Sequence, residues 1–316
     1  MEAHRIRRYE QAAELLPPRL RRLALEIPDA QKARAEELRL RVGLPLTVRC
    51  SDGETAVASV GSEALVTAED LERVIAGVTE FSRYASAEAM RQGYLTVRGG
   101  FRLGVCGTAV LRDGVVCGMK DFSGLALRIA RERVGLSADV VPKLYDERGQ
   151  LCGTLILSPP GGGKTTLLRD LIRCLSLGSA EHRALRVAVI DERSEIAMSY
   201  RGRAQTELGN HTDVLDGCPK ALGIPMVLRA MAPQAIAVDE LATAEDIAAV
   251  SLATNCGVAI LATLHAASVR DLSAKPLWRE VLASGVFSRA VVIGHDGERR
   301  TYSVEEIPCS VGSARV

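Results

Sequence analysis

The amino-acid order predicts an α/β protein: a mostly parallel sheet covered by helices in the second half, preceded by a smaller α+β domain. Three observations carry that expectation. Leu155-Ile-Leu-Ser-Pro-Pro-Gly-Gly-Gly-Lys-Thr-Thr-Leu-Leu-Arg-Asp170 reads as a short apolar strand, a glycine-rich loop and the opening of a helix. Apolar runs at 151–157, 186–190, 235–238 and 258–263 alternate with helical stretches, the rhythm of a doubly wound sheet. Before residue 140 the rhythm is different, with short alternating segments set between Gly, Pro and Asp turns. A chain of 316 residues has room for about two domains. They are expected at 1–140 and 151–316, with 141–150 as linker inside a pattern-poor stretch, Leu136 to Gln150, that contains Pro142.

Taken in order, a helical stretch is expected from about Tyr9 to Leu25. Glu37-Leu-Arg-Leu-Arg-Val42 alternates apolar and basic residues, turns at Gly43-Leu-Pro45 and returns as Leu46-Thr-Val-Arg-Cys50, a hairpin pattern closed by Ser51-Asp-Gly53. Thr67-Ala-Glu-Asp70 caps a helix whose Leu71, Val74, Ile75 and Val78 recur at helical spacing. Tyr94–Val97, Arg102–Val105 and Thr108–Arg112 alternate like strands, with Arg98-Gly-Gly100 and Asp113-Gly114 as turns. Ile247–Leu264 carries no charge, yet Ser251, Thr254, Asn255 and Gly257 interrupt it. A buried helix stopped at Asn255-Cys256-Gly257 and followed by a buried strand accounts for the run, and no transmembrane helix is expected.

Composition narrows the function classes. A net charge of +1 supplies no global field for nucleic acid, and there are no aromatic-basic tracts. Arg5, Arg7, Arg8, Arg19, Arg21 and Arg22 crowd the start of the chain, as a solvated helix face or a membrane or partner contact. None of the eight cysteines forms Cys-x-x-Cys; they read as small buried hydrophobes in a reducing cytoplasm, and no signal peptide is visible.

The glycine-rich loop has the order of parts that a triphosphate requires. Ser158, Pro159, Pro160, Gly161, Gly162 and Gly163 form a loop whose N–H groups can point inward, and the helix N-terminus adds its positive end. Lys164 reaches the β- and γ-phosphates, Thr165 is placed to hold Mg²⁺, and Thr166 continues the site. Ser158 stands where the consensus has Gly. Ala235-Ile-Ala-Val-Asp-Glu240 is an apolar strand ending in two carboxylates, Asp239 for the metal and Glu240 to orient the attacking water. A second strand ends in Asp191, Glu192 and Glu195, which cannot all ligate one metal without severe like-charge cost. A third, Val258–His265, ends in Thr263 and His265; by itself the imidazole reads either as a satisfied neighbour of a buried strand or as a hydrogen-bond partner of a γ-phosphate.

In sequence order, Ser-Pro-Pro-Gly-Gly-Gly-Lys-Thr-Thr, Val-Ile-Asp-Glu-Arg-Ser-Glu-Ile, Thr212-Asp-Val-Leu-Asp-Gly-Cys-Pro-Lys220, Ala-Val-Asp-Glu and Ala-Thr-Leu-His resemble the stage III sporulation protein AA family of secretion ATPases, related to type II and type IV systems. Glu37–Gly43 and the Gly93–Gly107 region resemble its N-terminal domain, so the likeness covers nearly the whole chain. The resemblance implies a RecA-like phosphate-loop ATPase using ATP and Mg²⁺, working as a ring, expected to be a hexamer. It implies membrane-protein partners in a channel complex between mother cell and forespore, and a cytoplasmic, peripheral place on the mother-cell side. It also puts Glu192 in an acidic box and His265 in a histidine box, so that Glu240, Glu192 and His265 are the expected catalytic residues. Two other readings stay open: a nucleotide-gated assembly factor with little turnover, and another pilus-type or DNA-translocating motor. Arg39, Arg41, Arg98 and Arg102 read either as solvated residues or as cations by which an N-terminal half, a neighbour's or the chain's own, completes a site.

Overall fold

The structure is a computed structural model and describes residues 2–57, 65–79, 93–129, 133–297 and 299–308. The chain divides into two compact units, residues 1–131 and 132–316.

The first unit opens with α1 (Glu2–Ala13), α2 (Pro18–Leu25) and α3 (Asp29–Arg34). The single helix expected over 9–25 is broken at Pro17-Pro18: a proline disfavours helical backbone in the residue before it, and Pro18 fits the first turn of the next helix. Six strands follow, β1 (Glu37–Arg41), β2 (Thr47–Cys50), β3 (Gly53–Ala56), β4 (Tyr94–Val97), β5 (Phe101–Arg112) and β6 (Val115–Arg128), in the order β3-β2-β1-β6-β5-β4. Every pairing is antiparallel. Alternation along β1 sends Leu38 and Leu40 into the core, where Leu71 and Val74 of α4 (Ala68–Thr79) meet them. The expected cap forms: the Asp70 N–H donates to Thr67 Oγ1 (3.2 Å), and the Thr67 N–H donates to Asp70 Oδ2 (2.9 Å). The two strands expected at 102–105 and 108–112 are one long strand with an irregularity between Cys106 and Thr108.

The second unit carries β7 (Thr154–Leu157), β8 (Val187–Asp191), β9 (Thr212–Asp216), β10 (Ala235–Val238), β11 (Ala259–Leu264), β12 (Arg289–Asp296) and β13 (Arg299–Glu306), in the order β13-β12-β7-β11-β10-β8-β9. All pairings are parallel except β12 with β13. Its helices are α5 (Lys164–Leu177), α6 (Lys220–Met231), α7 (Ala244–Asn255), α8 (Val269–Ser273) and α9 (Pro276–Ala283). Alternate residues of each central strand feed different cores. Leu155 and Leu157 join Ile224 of α6 and Val250 of α7, while Ile156 joins Leu167 and Leu171 of α5. Both faces are therefore apolar, which is why these strands read as unbroken hydrophobic runs.

The stretch expected as linker belongs to this unit. Val140 and Leu144 lie in the core beside Leu167, and the Ser137 N–H and Oγ–H each donate to Asp170 Oδ2 at 2.7 Å. Residues 247–264 form the helix and strand expected, and among the described residues no helix is long and apolar enough to cross a membrane.

Candidate functional site

β7, β10 and β11 are adjacent parallel strands, so their carboxyl ends deliver three loops to one edge of the sheet, where α/β sheets bind ligands. The first loop runs from Leu157 to Lys164. Gly161 (φ +75°) and Gly163 (φ +98°) occupy left-handed backbone that favours glycine. Ser158, fully buried, is not among the non-glycine residues with positive φ, so serine replaces the consensus glycine there without backbone strain. Its Oγ–H donates to Pro159 O (2.8 Å) and fills the space that a side chain on Gly162 would need.

Lys164 turns back over this loop. Its Nζ donates to Ser158 O (3.1 Å) and Pro159 O (3.3 Å) and meets His265 Nδ1 at 2.8 Å. Burial pushes the Lys164 ammonium below the ordinary lysine range, and the nearby Asp239 and Glu240 oppose the shift. An ammonium has donors only, so His265 Nδ1 accepts, and the imidazole proton resides on Nε2. Nε2 stands 3.4 Å from Glu240 Oε1. Thr263 ties the second and third loops together: its hydroxyl donates to Asp239 Oδ1 (2.5 Å) and accepts the Glu240 N–H (3.0 Å). The Glu240 N–H also reaches Asp239 Oδ1 (3.1 Å), so both bonds fall on one oxygen and Oδ2 is left for a cation.

The acidic loop after β8 is suspended from its first residue. Asp191, fully buried, accepts the N–H groups of Glu195 (2.8 Å), Ile196 (3.0 Å) and Ala197 (2.7 Å). Burial raises its carboxyl above the usual range; the three N–H groups oppose that shift and Asp216 adds to it. Asp191 is thus a structural cap. Glu192 turns away to pair with Lys220 of α6, and Ser194 (φ +51°) donates to Asp216 Oδ1 (2.7 Å). The motif 212–220 thereby clasps the acidic loop. Arg169 of α5 donates to the Glu195 carbonyl (2.6 Å) and holds the loop from the other side.

The resulting open cleft has a volume of about 340 Å³ and is lined by Gly161, Gly163, Lys164, Thr165, Thr166, Glu195, Asp239, Glu240, Thr263, His265 and Arg300. Of the sequence-derived residues, Ser158, Pro159, Pro160 and Gly162 form the rest of the loop. Glu192 does not line the cleft; Glu195 does. Arg300 had no sequence signal beyond its place on an alternating strand. Glycines in left-handed backbone, a lysine and a helix N-terminus suit a polyphosphate. The Thr165 hydroxyl and the Asp239 carboxylate supply the oxygen donors that Mg²⁺ prefers.

In the first unit, three of the four arginines expected to complete a site are engaged internally. Arg39 pairs with Glu37, Arg41 with Glu54 (2.5 Å), and Arg102 stacks 4.4 Å over the Tyr94 ring.

The chain matches the family described as Sporulation stage III, protein AA over residues 6–307. It is 37% identical over 272 residues to stage III sporulation protein AA of Bacillus subtilis (strain 168), spanning 85% of this chain and 86% of that protein. Among solved structures it is similar to the pilus retraction motor PilT with bound ADP (TM-score 0.59, 17% identity, 88% of this chain and 80% of that one). It is similar also to the Legionella pneumophila ATPase DotB (TM-score 0.57, 18% identity, 88% and 78%). At these identities the structural likeness is one of fold.

Proposed function

Because this chain belongs to the sporulation stage III protein AA family, we propose that it serves sporulation as an ATPase, hydrolysing ATP with Mg²⁺ to drive a secretion or channel complex between mother cell and forespore. One observation carries the reading. Lys164 Nζ hydrogen-bonds His265 Nδ1, and His265 Nε2 stands 3.4 Å from Glu240 Oε1, across a glycine-lined cleft that Thr165 and Asp239 also face.

Lys164 exchanges its carbonyl and imidazole partners for β- and γ-phosphate oxygens. Thr165 and Asp239 Oδ2 would hold Mg²⁺, which neutralises charge on the phosphates. Glu240 orients the attacking water and accepts its proton, with its backbone fixed by Thr263. His265, released by Lys164, is free to hydrogen-bond the γ-phosphate. Glu192 is occupied by Lys220, so Glu195 is the better placed carboxylate of the acidic loop. The fold shared with secretion ATPases supports a ring, proposed as a hexamer, with the membrane components of the channel complex as partners at the cytoplasmic face.

The test uses Lys164→Ala and Glu240→Gln in the full chain, with nucleotide affinity and phosphate release measured with and without the candidate membrane partners. Lys164→Ala should weaken ATP binding by about ten- to a hundredfold. Glu240→Gln should bind ATP normally and lose roughly 10²–10⁴ in turnover. Wild-type binding and turnover in both folded variants would overturn the assignment.

A further inference from the structure

We infer that Arg300, on the β12–β13 hairpin, is a second phosphate-binding cation supplied by the same chain as Lys164, gripping the diphosphate of the bound nucleotide; the inference rests on the ATP site proposed above. The placement begins with strand alternation. Along β13, Arg300, Tyr302 and Val304 are partly buried while Arg299, Thr301 and Ser303 are exposed. Tyr302 and Val304 pack onto the core that holds Leu167 and Leu171, so the inward row faces α5.

Register then sets the level of Arg300. β12 pairs with β7 up to Val292 opposite Leu157, the last residue before the phosphate loop. Arg300 pairs with His295, beyond that point, at the level of the loop. Its guanidinium lies against Gly163: a methyl group added there would stand 2.6 Å from Nη1 and 2.7 Å from Cζ. Arg300 therefore lines the cleft with Lys164, Thr165 and Thr166.

Electrostatics make this an anion site. Gly163 caps the N-terminus of α5, the positive end of the helix dipole, where a second cation is repelled both by the dipole and by Lys164. Among the described residues no carboxylate pairs with Arg300; Asp239 and Glu240 act on Lys164 instead. A bound diphosphate attracts both cations and the helix N-terminus, and so outweighs both repulsions. A guanidinium offers it two parallel donors, which an ammonium cannot. Against Gly163, at the N-terminus of α5, the guanidinium addresses the phosphates shared by ADP and ATP.

Equilibrium titration of the full chain with fluorescent ADP and ATP analogues at fixed Mg²⁺ tests this. Arg300→Ala and the longer, uncharged Arg300→Gln should raise the Kd of both nucleotides by about tenfold, without lowering the melting temperature of the nucleotide-free protein. Arg300→Lys should recover part of the loss. Wild-type ADP affinity in Arg300→Ala or Arg300→Gln, or a loss confined to ATP, overturns the inference if Lys164→Ala loses both nucleotides. Should Lys164→Ala also bind both normally, the ATP site itself fails and the inference falls with it.

Discussion

Thr263→Val tests whether the two carboxylates after β10 act as a positioned pair. Thr263 is fully buried, and valine nearly matches its shape, so the substitution removes a hydroxyl and leaves the packing intact. Two bonds disappear, the donation to Asp239 Oδ1 and the acceptance from the Glu240 N–H. The N–H keeps Asp239 Oδ1 at 3.1 Å, so no buried donor is orphaned. What remains is the loss of one hydrogen bond to a charged group, about 1.5–3 kcal/mol. Part of that loss is recovered by water, because Asp239 faces the cleft. Global stability should therefore fall by only about 1 kcal/mol. The rest appears in catalysis, where a carboxylate released by roughly an ångström costs about tenfold or more in kcat. Steady-state phosphate release, ATP affinity and thermal melting are measured side by side on Thr263→Val and Thr263→Ser. The expected pattern is a kcat decrease of about tenfold with ATP affinity nearly unchanged, restored by serine. A lowered melting temperature with wild-type kcat would show that Thr263 braces the fold and positions nothing. Serine as impaired as valine would refute the hydroxyl's role.

Three further outcomes follow from the same geometry. Asp191→Ala strands three N–H groups, two of them buried, and should lower unfolding free energy by about 3 kcal/mol or more in denaturant titrations. The Asp191 carboxyl is held above its ordinary value of 3.8, so its contribution is complete below that value and declines as pH rises through the folded-state pKa. The stability gap between wild type and Asp191→Asn should accordingly narrow with rising pH; a gap that widens reverses the sign of the argument. Gly162→Ala should impair folding and nucleotide binding because its methyl meets Ser158, and Ser158→Gly should rescue it; a double-mutant cycle showing simple additivity would separate the two positions.

The glycine-rich loop was legible because its signals are local: an apolar strand, three consecutive glycines and a lysine opening a helix all lie within one short segment. The central strands were legible for a related reason, since burial on both faces leaves them almost wholly apolar. Residues 137–144 misled because their polar groups are used inside the unit, where Ser137 satisfies Asp170, and a spent polar group looks the same in sequence as a solvated one. β9 and the β12–β13 hairpin lie at the sheet edges and mix polar with apolar residues, which weakens any periodic signal. The exchange of Glu192 for Glu195 in the cleft depends on Asp191 capping the following N–H groups and on Ser194 taking left-handed backbone. Neither is written in a propensity. Both follow from Asp216 and Lys220, which are distant in sequence and hold the loop's other side chains.

The strand order also dictates a timetable. Every strand of the first unit lies between residues 37 and 128, so that sheet can close while the remainder is still being synthesised. β7, which leads into the glycine-rich loop, has no neighbour made near it in time: Thr154 pairs with Leu261 on one side and Arg289 on the other. Until β11 has left the ribosome, the loop hangs from a strand without a sheet. Such long-range closures are slow, and nucleotide cannot assist them, because Asp239, Thr263 and His265 arrive with the same late segments. Nascent chains of this protein are consequently exposed longest at β7, whose four residues are all buried in the finished fold, and that interval is where a chaperone would be needed.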